Sequence, residues 1–485
     1  MIATLADLVV WGSALALLNI VLAAAVTVHA AMHKRDGRAV VAWIGLAWLT
    51  PLIGSLAYAI LGVNRIDRKA VALASEDTLR LQRQLWVPAS ERVQAEALLE
   101  GVPGLRGVIS AGRWLTGIPV VPGNSVTPLI DGDEAYPAMI AAIDGARESV
   151  ALLSYIFDAD YAGQQFMDAL ARASERGVEV RVLVDDIGSK YSSPNMVKRL
   201  KKAGVKAAAF LPTHLPRIPT YANLRNHRKI LVVDGETGFT GGTNIREGHL
   251  LQRNVKEPVQ CVHFQLGGPV VAQLQRVFAG DWAFATGELI SGETWFPEIA
   301  RAGEVWARGI EHGPGLNFEK LLNMFSAALA SARKRVRIVT PYLLPDISLI
   351  KALNVTAMRG VEVEILIPQK SNIRIVQWAT MGELLQMLEF DVSVKLLPPP
   401  FDHTKLMVVD DAWSLIGSAN WDPRSLRLNF EFNVECYDEN LAAQINQIID
   451  RKAANAVPIT LEQLAARSYP RKLRDGLARL FKPYL

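Results

Sequence analysis

A duplicated α/β body, two pseudo-symmetric lobes with mixed sheets flanked by helices, preceded by a transmembrane helical hairpin, is the fold class this 485-residue sequence predicts. Three observations carry it. The pattern His-x-Lys-x-x-x-x-Asp occurs twice, 176 residues apart, as His227, Lys229, Asp234 and again as His403, Lys405, Asp410. Each copy closes the same succession of helical and strand patterns. Two long uncharged runs stand at the N-terminus.

Leu8 to Met32 and Ala39 to Val63 contain no Asp, Glu, Lys or Arg. As helices rising about 1.5 Å per residue, either run is long enough for a hydrocarbon layer about 30 Å thick. The basic turn His33-Lys34-Arg35-Asp36-Gly37-Arg38 separates them, so residues 1–66 are expected to form a membrane hairpin that makes the protein multi-pass. A cleaved signal peptide is disfavoured, because no Lys or Arg precedes the first run and a second follows at once. Lys34, Arg35 and Arg38 draw the turn toward the cytoplasm, while Arg65, Arg68 and Lys69 draw the chain after the second run there too. These counts nearly cancel. The body is expected on the cytoplasmic side, since its residues bear no sign of secretion.

Residues 67–124 read as a polar, helical linker, and the remainder as two copies of one plan, 125–295 and 296–455. In the first, Ala135 to Arg147 has a helical pattern, Val150 to Phe157 a strand pattern, Gly163 to Arg176 a helix and Val178 to Asp185 a strand. The second repeats it with Phe318 to Arg333, Val336 to Tyr342, Ser348 to Arg359 and Val361 to Pro368. Gly177 and Gly360 stand just past the second helix of each copy, where a helix stop belongs. Each copy then reaches its His-Lys motif on an apolar strand, Ile230-Leu231-Val232-Val233 or Leu406-Met407-Val408-Val409. A glycine-led turn and an asparagine follow each strand: Gly241, Gly242 and Asn244, then Gly417, Ser418 and Asn420.

Composition narrows the function. A net charge of +4 is too modest for the concentrated basic footprint of nucleic-acid binding. Two cysteines, Cys261 and Cys436, make no disulfide framework, and the eight histidines are scattered without metal-ligand spacing, so neither metal nor cofactor is expected. Asp185-Asp186 ends a buried-strand pattern without further ligands. His214, His249 and His312 have no motif context and are expected in loops or at the surface.

Alternation along a strand puts residues i and i+2 on one face, so each lobe offers an imidazole beside an ammonium. If the lobes pack about a pseudo-twofold, a phosphodiester between the two strands meets two ammonium groups and two side-chain amides. These suit its nonbridging oxygens and the added charge of a pentacovalent transition state. One imidazole can attack phosphorus while the other protonates the departing alkoxide.

These motifs resemble those of the phospholipase D superfamily and, more narrowly, of the bacterial cardiolipin synthases. The matching segments are Asn226 to Gly235, Gly238 to Gly242, Asp281 to Glu288, Thr340-Pro341-Tyr342 and Gly417 to Ser425, and the similarity extends over the hairpin with Pro51 and Gly54. The resemblance implies phospholipase D-like lobes in a bacterial inner-membrane enzyme. Its activity would be a phosphatidyl transfer from one phosphatidylglycerol to another, releasing glycerol. A hydrolytic phospholipase D, a transferase using another alcohol, a nuclease, and a catalytically dead lipid-binding scaffold are the competing readings.

By the resemblance, His227 is the nucleophile and His403 the general acid and then base, with Lys229, Lys405, Asn244 and Asn420 binding phosphate. Asp234 and Asp410, within the motifs, would orient the glycine-rich turns. Glu431, 28 residues after His403, fits the place of the carboxylate that orients a catalytic imidazole. In the first lobe Cys261 stands where that carboxylate belongs, so His227 is expected to be the less firmly held histidine. Residues 456–485 form a basic amphipathic segment, with Arg471, Lys472, Arg474, Arg479 and Lys482 among Leu473, Leu477, Leu480 and Phe481, consistent with a helix on anionic lipid.

Overall fold

The computed structural model describes residues 2–34, 37–62, 103–191, 193–212, 224–313 and 319–482. Most of the expected linker, with Arg65, Arg68 and Lys69, and also His214, lies outside the described residues. The chain divides into an N-terminal unit, Met1–Ala70 with Leu215–Ala222, and a body comprising Val71–His214 and Asn223–Leu485.

In the N-terminal unit one helix, Ile2–His33, runs unbroken through the first apolar stretch, and Trp11–His33 is long and apolar enough to cross a membrane. The second stretch departs from the expected single span. It forms Gly37–Leu49, breaks at Thr50-Pro51, and resumes as Ile53–Ala57 followed by a π-helical turn, Tyr58–Gly62. Pro51 has no N–H to continue the helix and Leu52 takes a positive φ of 63°, so the run cannot be one continuous rod. Among the described residues one helix is of spanning length, and the second run, expected to complete the hairpin, is divided into shorter helical pieces.

The body carries the duplication. Its strands are β1 (Val121–Ile130), β2 (Ser149–Ser154), β3 (Glu179–Asp185), β4 (Ala207–Phe210), β5 (Ile230–Val233), β6 (Thr237–Gly241), β7 (Val259–Gln260), β8 (Val262–Gly267) and β9 (Val305–His312). They continue with β10 (Arg335–Val339), β11 (Glu362–Pro368), β12 (Ser393–Leu397), β13 (Phe401–Asp402), β14 (Leu406–Val409), β15 (Trp413–Gly417), β16 (Glu431–Tyr437) and β17 (Val457–Pro458). Among the described residues one mixed sheet runs β17-β12-β11-β10-β14-β15-β16-β9-β1-β8-β6-β5-β2-β3-β4. Apart from the edge strand β17, this order is the same seven-strand series read outward in both directions from the β9–β1 junction. That palindrome is the pseudo-twofold the repeated motif called for.

Local chemistry explains the repeat. Asp160 caps the helix Tyr161–Glu175 by accepting the N–H of Gly163, and Asp346 caps Ile347–Met358 through Ser348. Gly177 (φ 89°) and Gly360 (φ 82°) end these helices in the left-handed conformation that costs glycine least. β5, β14 and the middle of β2 are apolar on both faces because helices cover the sheet on each side, whereas β10 carries Arg335 and Arg337 on one face. One core cluster belongs to the first lobe and one chiefly to the second. A third, with Phe264, Leu274 and Phe278 beside Phe432, Val434 and Ile445, draws on both and joins them.

Candidate active site

The two His-Lys segments lead into β5 and β14, each a strand of a β-hairpin. The pairing of Ile230 with Thr240 and of Leu406 with Ile416 places the residues before β5 and β14 beside those that follow β6 and β15. Histidine, lysine and the glycine-led turn with its asparagine thus share one end of the hairpin. Asp234 and Asp410 occupy the other.

The lobes then interlock. His227 donates its backbone N–H to the Phe430 carbonyl at 2.9 Å, and His403 donates its own to the Gln260 carbonyl at 2.8 Å. β13, just before His403, pairs in parallel with β7, and Asn226 bridges in parallel to Phe430. Each histidine segment is therefore held by the strand of the opposite lobe, which brings the imidazole rings of His227 and His403 to a centroid separation of 6.3 Å at 81°. Both residues are nearly buried, with 8 % exposure each.

Nδ1–H of His227 donates to the Glu431 carboxylate, 3.1 Å from each oxygen. Glu431 is fully buried and also accepts from the hydroxyl of Ser418 and from Asn429 Nδ2 at 3.3 Å. Burial favours its neutral form, but His227 and Lys229 outweigh that and hold its pKa at about 2. The His227 imidazole is lowered to about 4, first by burial and further by Lys229 and Lys405, against the pull of Glu431. A neutral ring with its proton on Nδ1 leaves a lone pair on Nε2. His403 is held differently, donating Nδ1–H to the Gly242 carbonyl at 3.0 Å, and burial together with Lys405 and Lys229 lowers its pKa well below the usual value.

These contacts correct one expectation. Glu431 orients the histidine of the other lobe, not its own, and Cys261 bears on His403, not on His227. Cys261 is the pseudo-symmetric counterpart of Glu431, just as His263 pairs with Gly241 while Asn433 pairs with Gly417. The buried Cys261 sulfur lies 3.5 Å from the backbone oxygen of His403. It also fills the space beside Gly242, where a Cβ would come within 2.7 Å of it. Gly242 is in turn the counterpart of Ser418, the residue that supports Glu431. His227 is consequently the histidine with a carboxylate partner.

Lys229 and Lys405 each donate to the backbone carbonyl of their own histidine, at 2.7 Å and 2.6 Å. An ammonium has three protons, so each retains donors for an anion. Burial lowers their pKa values to about 7 and about 8, with Lys405 further depressing Lys229 and with neighbouring acidic groups, Glu431 among them, opposing in both cases. Asn244 accepts the Ile156 N–H at 3.3 Å through Oδ1, leaving its amide N–H groups as donors, and Asn420 donates to Asp422 at 3.1 Å.

Asp234 and Asp410 are spoken for elsewhere. Asp234 accepts the N–H groups of Arg147, Glu148 and Ser149 at 2.8–3.1 Å, and Asp410 those of Arg333, Lys334 and Arg335 at 2.7–3.0 Å. They fasten the entries of β2 and β10 at the outer end of the hairpins, not the glycine-led turns. Asp185 accepts from the N–H groups of Asn226, Ile187 and Gly188, and Asp186 pairs with Lys190 at 2.7 Å. Among the described residues no three His, Cys, Asp or Glu side chains are grouped to hold a metal.

The sequence reading missed Tyr155, named Tyr342 only within a matching segment without placing it at the site, and misplaced two histidines. Tyr155 meets His227 edge-on at 5.1 Å and Tyr342 meets His403 at 6.3 Å, each on the turn after β2 or β10. Ser154 and Thr340, one and two residues earlier, hold those turns through hydrogen bonds to Ile156 and Tyr342. His249 and His312, expected at the surface, are buried. His249 bonds the Val259 carbonyl at 3.0 Å, and His312 stands directly opposite Glu431 in the β9–β16 register. Burial alone carried no signal in their flanking residues.

Comparison with known proteins agrees with this geometry. The family model described as "Cardiolipin synthase, PLD-like domain" matches residues 139–282 and 325–453, one segment in each lobe. This chain belongs to that family. Cardiolipin synthase A of Pseudomonas putida is 33% identical over 460 residues, covering 94% of this chain and 95% of the relative. Cardiolipin synthase 2 of Staphylococcus epidermidis is 30% identical over 462 residues and 94% of each chain. The major cardiolipin synthase ClsA of Bacillus subtilis is 29% identical over 479 residues, 97% of this chain and 98% of the relative. The crystal structure of a phosphatidylserine synthase from Haemophilus influenzae shares the fold, with a TM-score of 0.61 at 16% identity, over 78% of this chain and all of the other. Membership in the cardiolipin synthase PLD-like family accounts for the duplicated lobes.

Proposed function

We propose that this protein is a phosphatidyltransferase that converts two phosphatidylglycerol molecules into cardiolipin and glycerol. The observation that carries the reading is the convergence of His227 and His403, one from each lobe, with rings 6.3 Å apart and with only His227 backed by a carboxylate. Nε2 of His227 attacks phosphorus, the bond from phosphorus to the glycerol oxygen breaks, and His403, which takes up a proton when the anionic phosphate binds beside it and offsets the two lysines, delivers that proton to the oxygen. Glycerol leaves. The hydroxyl of a second phosphatidylglycerol then loses its proton to the now neutral His403 and attacks the phosphohistidine, returning His227 to its neutral state. Lys229, Lys405, Asn244 and Asn420 supply the donors to the nonbridging oxygens, where charge grows in each transition state.

Four polar groups and a buried pair of imidazoles need no cofactor for these steps. The lipid substrate and the apolar helix Ile2–His33 support a seat in the membrane, with the second helical run returning the chain and the body on the cytoplasmic side. Protease protection in sealed inverted vesicles tests that sidedness.

The chemistry is tested with the purified chain in detergent and phosphatidylglycerol, beside His227→Ala and His403→Ala. Cardiolipin and glycerol in equal amounts, absent in both variants, are expected. Phosphatidic acid as the product would make the protein a hydrolase. Equal behaviour of all three proteins would remove the site from any catalytic role.

A further inference from the structure

The helix Tyr469–Leu480 has its apolar side turned away from the protein. It packs along the helix Arg374–Glu383, where Gly382 allows the approach: a Cβ there would lie 3.1 Å from the Asp475 carbonyl oxygen. Asp475 and Ala478 form the buried side. At about 100° per residue, Tyr469, Leu473, Leu477 and Leu480 fall within an arc of about 80° on roughly the opposite side. They are 78%, 51%, 52% and 69% exposed, and Phe481 continues the stripe. A helix that merely completes a soluble core would be inverted, apolar side in.

Charge states what the stripe is for. Between Tyr469 and Lys482 there are five cations, Arg471, Lys472, Arg474, Arg479 and Lys482, and a single acid, Asp475. That acid is buried and paired with Arg467 at 2.5 Å and with Arg474 at 2.8 Å. Lys472 and Arg479 flank one margin of the stripe. Arg474, seated 4.7 Å over the Trp378 ring, flanks the other, so the cations border the apolar surface rather than cover it. An apolar strip edged by cations matches the boundary between lipid headgroups and acyl chains of an anionic bilayer.

We infer that the helix Tyr469–Leu480 is a second, independent membrane contact, which lies in the headgroup layer of anionic lipid with Leu473, Leu477 and Leu480 inserted. The contact sets how the body faces the bilayer, whichever alcohol accepts the phosphatidyl group. The test uses the full chain with a nitroxide on Leu477→Cys, or on Glu462→Cys as an exposed control. Cys261 and Cys436 are fully buried and do not compete for the label. In nanodiscs containing phosphatidylglycerol, the label at 477 should show a several-fold higher ratio of oxygen to nickel-chelate collisions than in pure phosphatidylcholine, with no change at 462. Adding Lys472→Glu and Arg479→Glu should return the label at 477 to water.

A label at 477 equally open to the nickel chelate in both lipids overturns the inference. So does one shielded from both reagents in every lipid, with dipolar coupling between labels, since that would mean a second copy covers the stripe. The same readout in His227→Ala reports on the surface alone, so failure of the transfer chemistry would leave it standing.

Discussion

Glu431 of the second lobe accepts the Nδ1–H of His227 of the first, 3.1 Å from each carboxylate oxygen. The carboxylate fixes the tautomer, aims the ring and stabilises positive charge when Nε2 attacks, and Ser418 and Asn429 keep it in place. Glu431→Gln retains the shape without the charge. We expect kcat to fall about 100-fold with KM little changed, in keeping with the loss of a group that orients a catalytic imidazole. Steady-state kinetics with unchanged far-ultraviolet circular dichroism measures it. A kcat within twofold of the wild type would remove Glu431 from the mechanism.

The two histidines should separate by leaving group. His403 is needed to protonate an alkoxide, but p-nitrophenolate leaves without help. With a phosphatidyl p-nitrophenol substrate, His403→Ala should therefore recover most of the burst of nitrophenol, whereas His227→Ala, without its nucleophile, should show none. Rescue of the His227 variant instead would exchange the roles.

Much of this site was legible beforehand because its parts recur at fixed spacing. His227, Lys229 and Asn244 declare one hairpin end, and His403, Lys405 and Asn420 declare the other. What the spacing could not convey is which lobe supplies the partner of each histidine. The crossing depends on parallel pairing between β7 and β13, two-residue strands whose only record in the sequence is Val259-Gln260 and Phe401-Asp402. The break at Pro51 is a similar case: a proline ends helical hydrogen bonding locally, yet hydropathy across Ala39 to Val63 is continuous. His312 looked peripheral since its burial comes from β16, over a hundred residues later.

Cys261 offers a chain-specific test. A carboxylate there would lie near Lys405 and His403, the groups that already bear on the thiol. It would favour the protonated imidazole of His403, so the general acid would persist to higher pH. Cys261→Asp should then raise turnover and move the alkaline limb of the kcat profile upward, while Cys261→Ser leaves both nearly unchanged. A profile that does not move would show that position 261 has no electrical influence on His403.

Lys229 and Lys405 titrate from about 7 and about 8 in the free site. As pH rises through those values they lose the charge that attracts phosphate, so kcat/KM, which reports the free enzyme, should decline above neutrality. Lys229→Arg keeps a cation at any working pH but cannot place a point charge in the same spot. It should lower kcat/KM at pH 7 and flatten its decline toward pH 9. An equally steep decline in the variant would assign the limb to another group.

Stability toward acid should reflect a contest among buried groups. Burial lowers His227 and His312 to about 4, His249 and His263 to about 3, and His403 well below the usual imidazole range. The unfolded chain therefore takes up these protons first, as pH falls below about 6.5, and each costs the fold about 1.4 kcal/mol per pH unit down to its folded pKa. Asp131, Asp185 and Asp422, each raised by burial to about 6, act in the opposite sense, since the fold takes up their protons between about pH 6 and pH 4 before the unfolded chain does. The melting temperature should thus begin to fall near pH 6.5, decline more gently between 6 and 4, and drop steeply below 4, where the carboxylates no longer compensate. Asp131→Asn removes one compensating proton at a residue whose positive φ of 57° asparagine tolerates. Its melting temperature should fall more steeply than that of the wild type between pH 6 and pH 4, measured by differential scanning calorimetry, and parallel curves would show that Asp131 takes up no proton in that window.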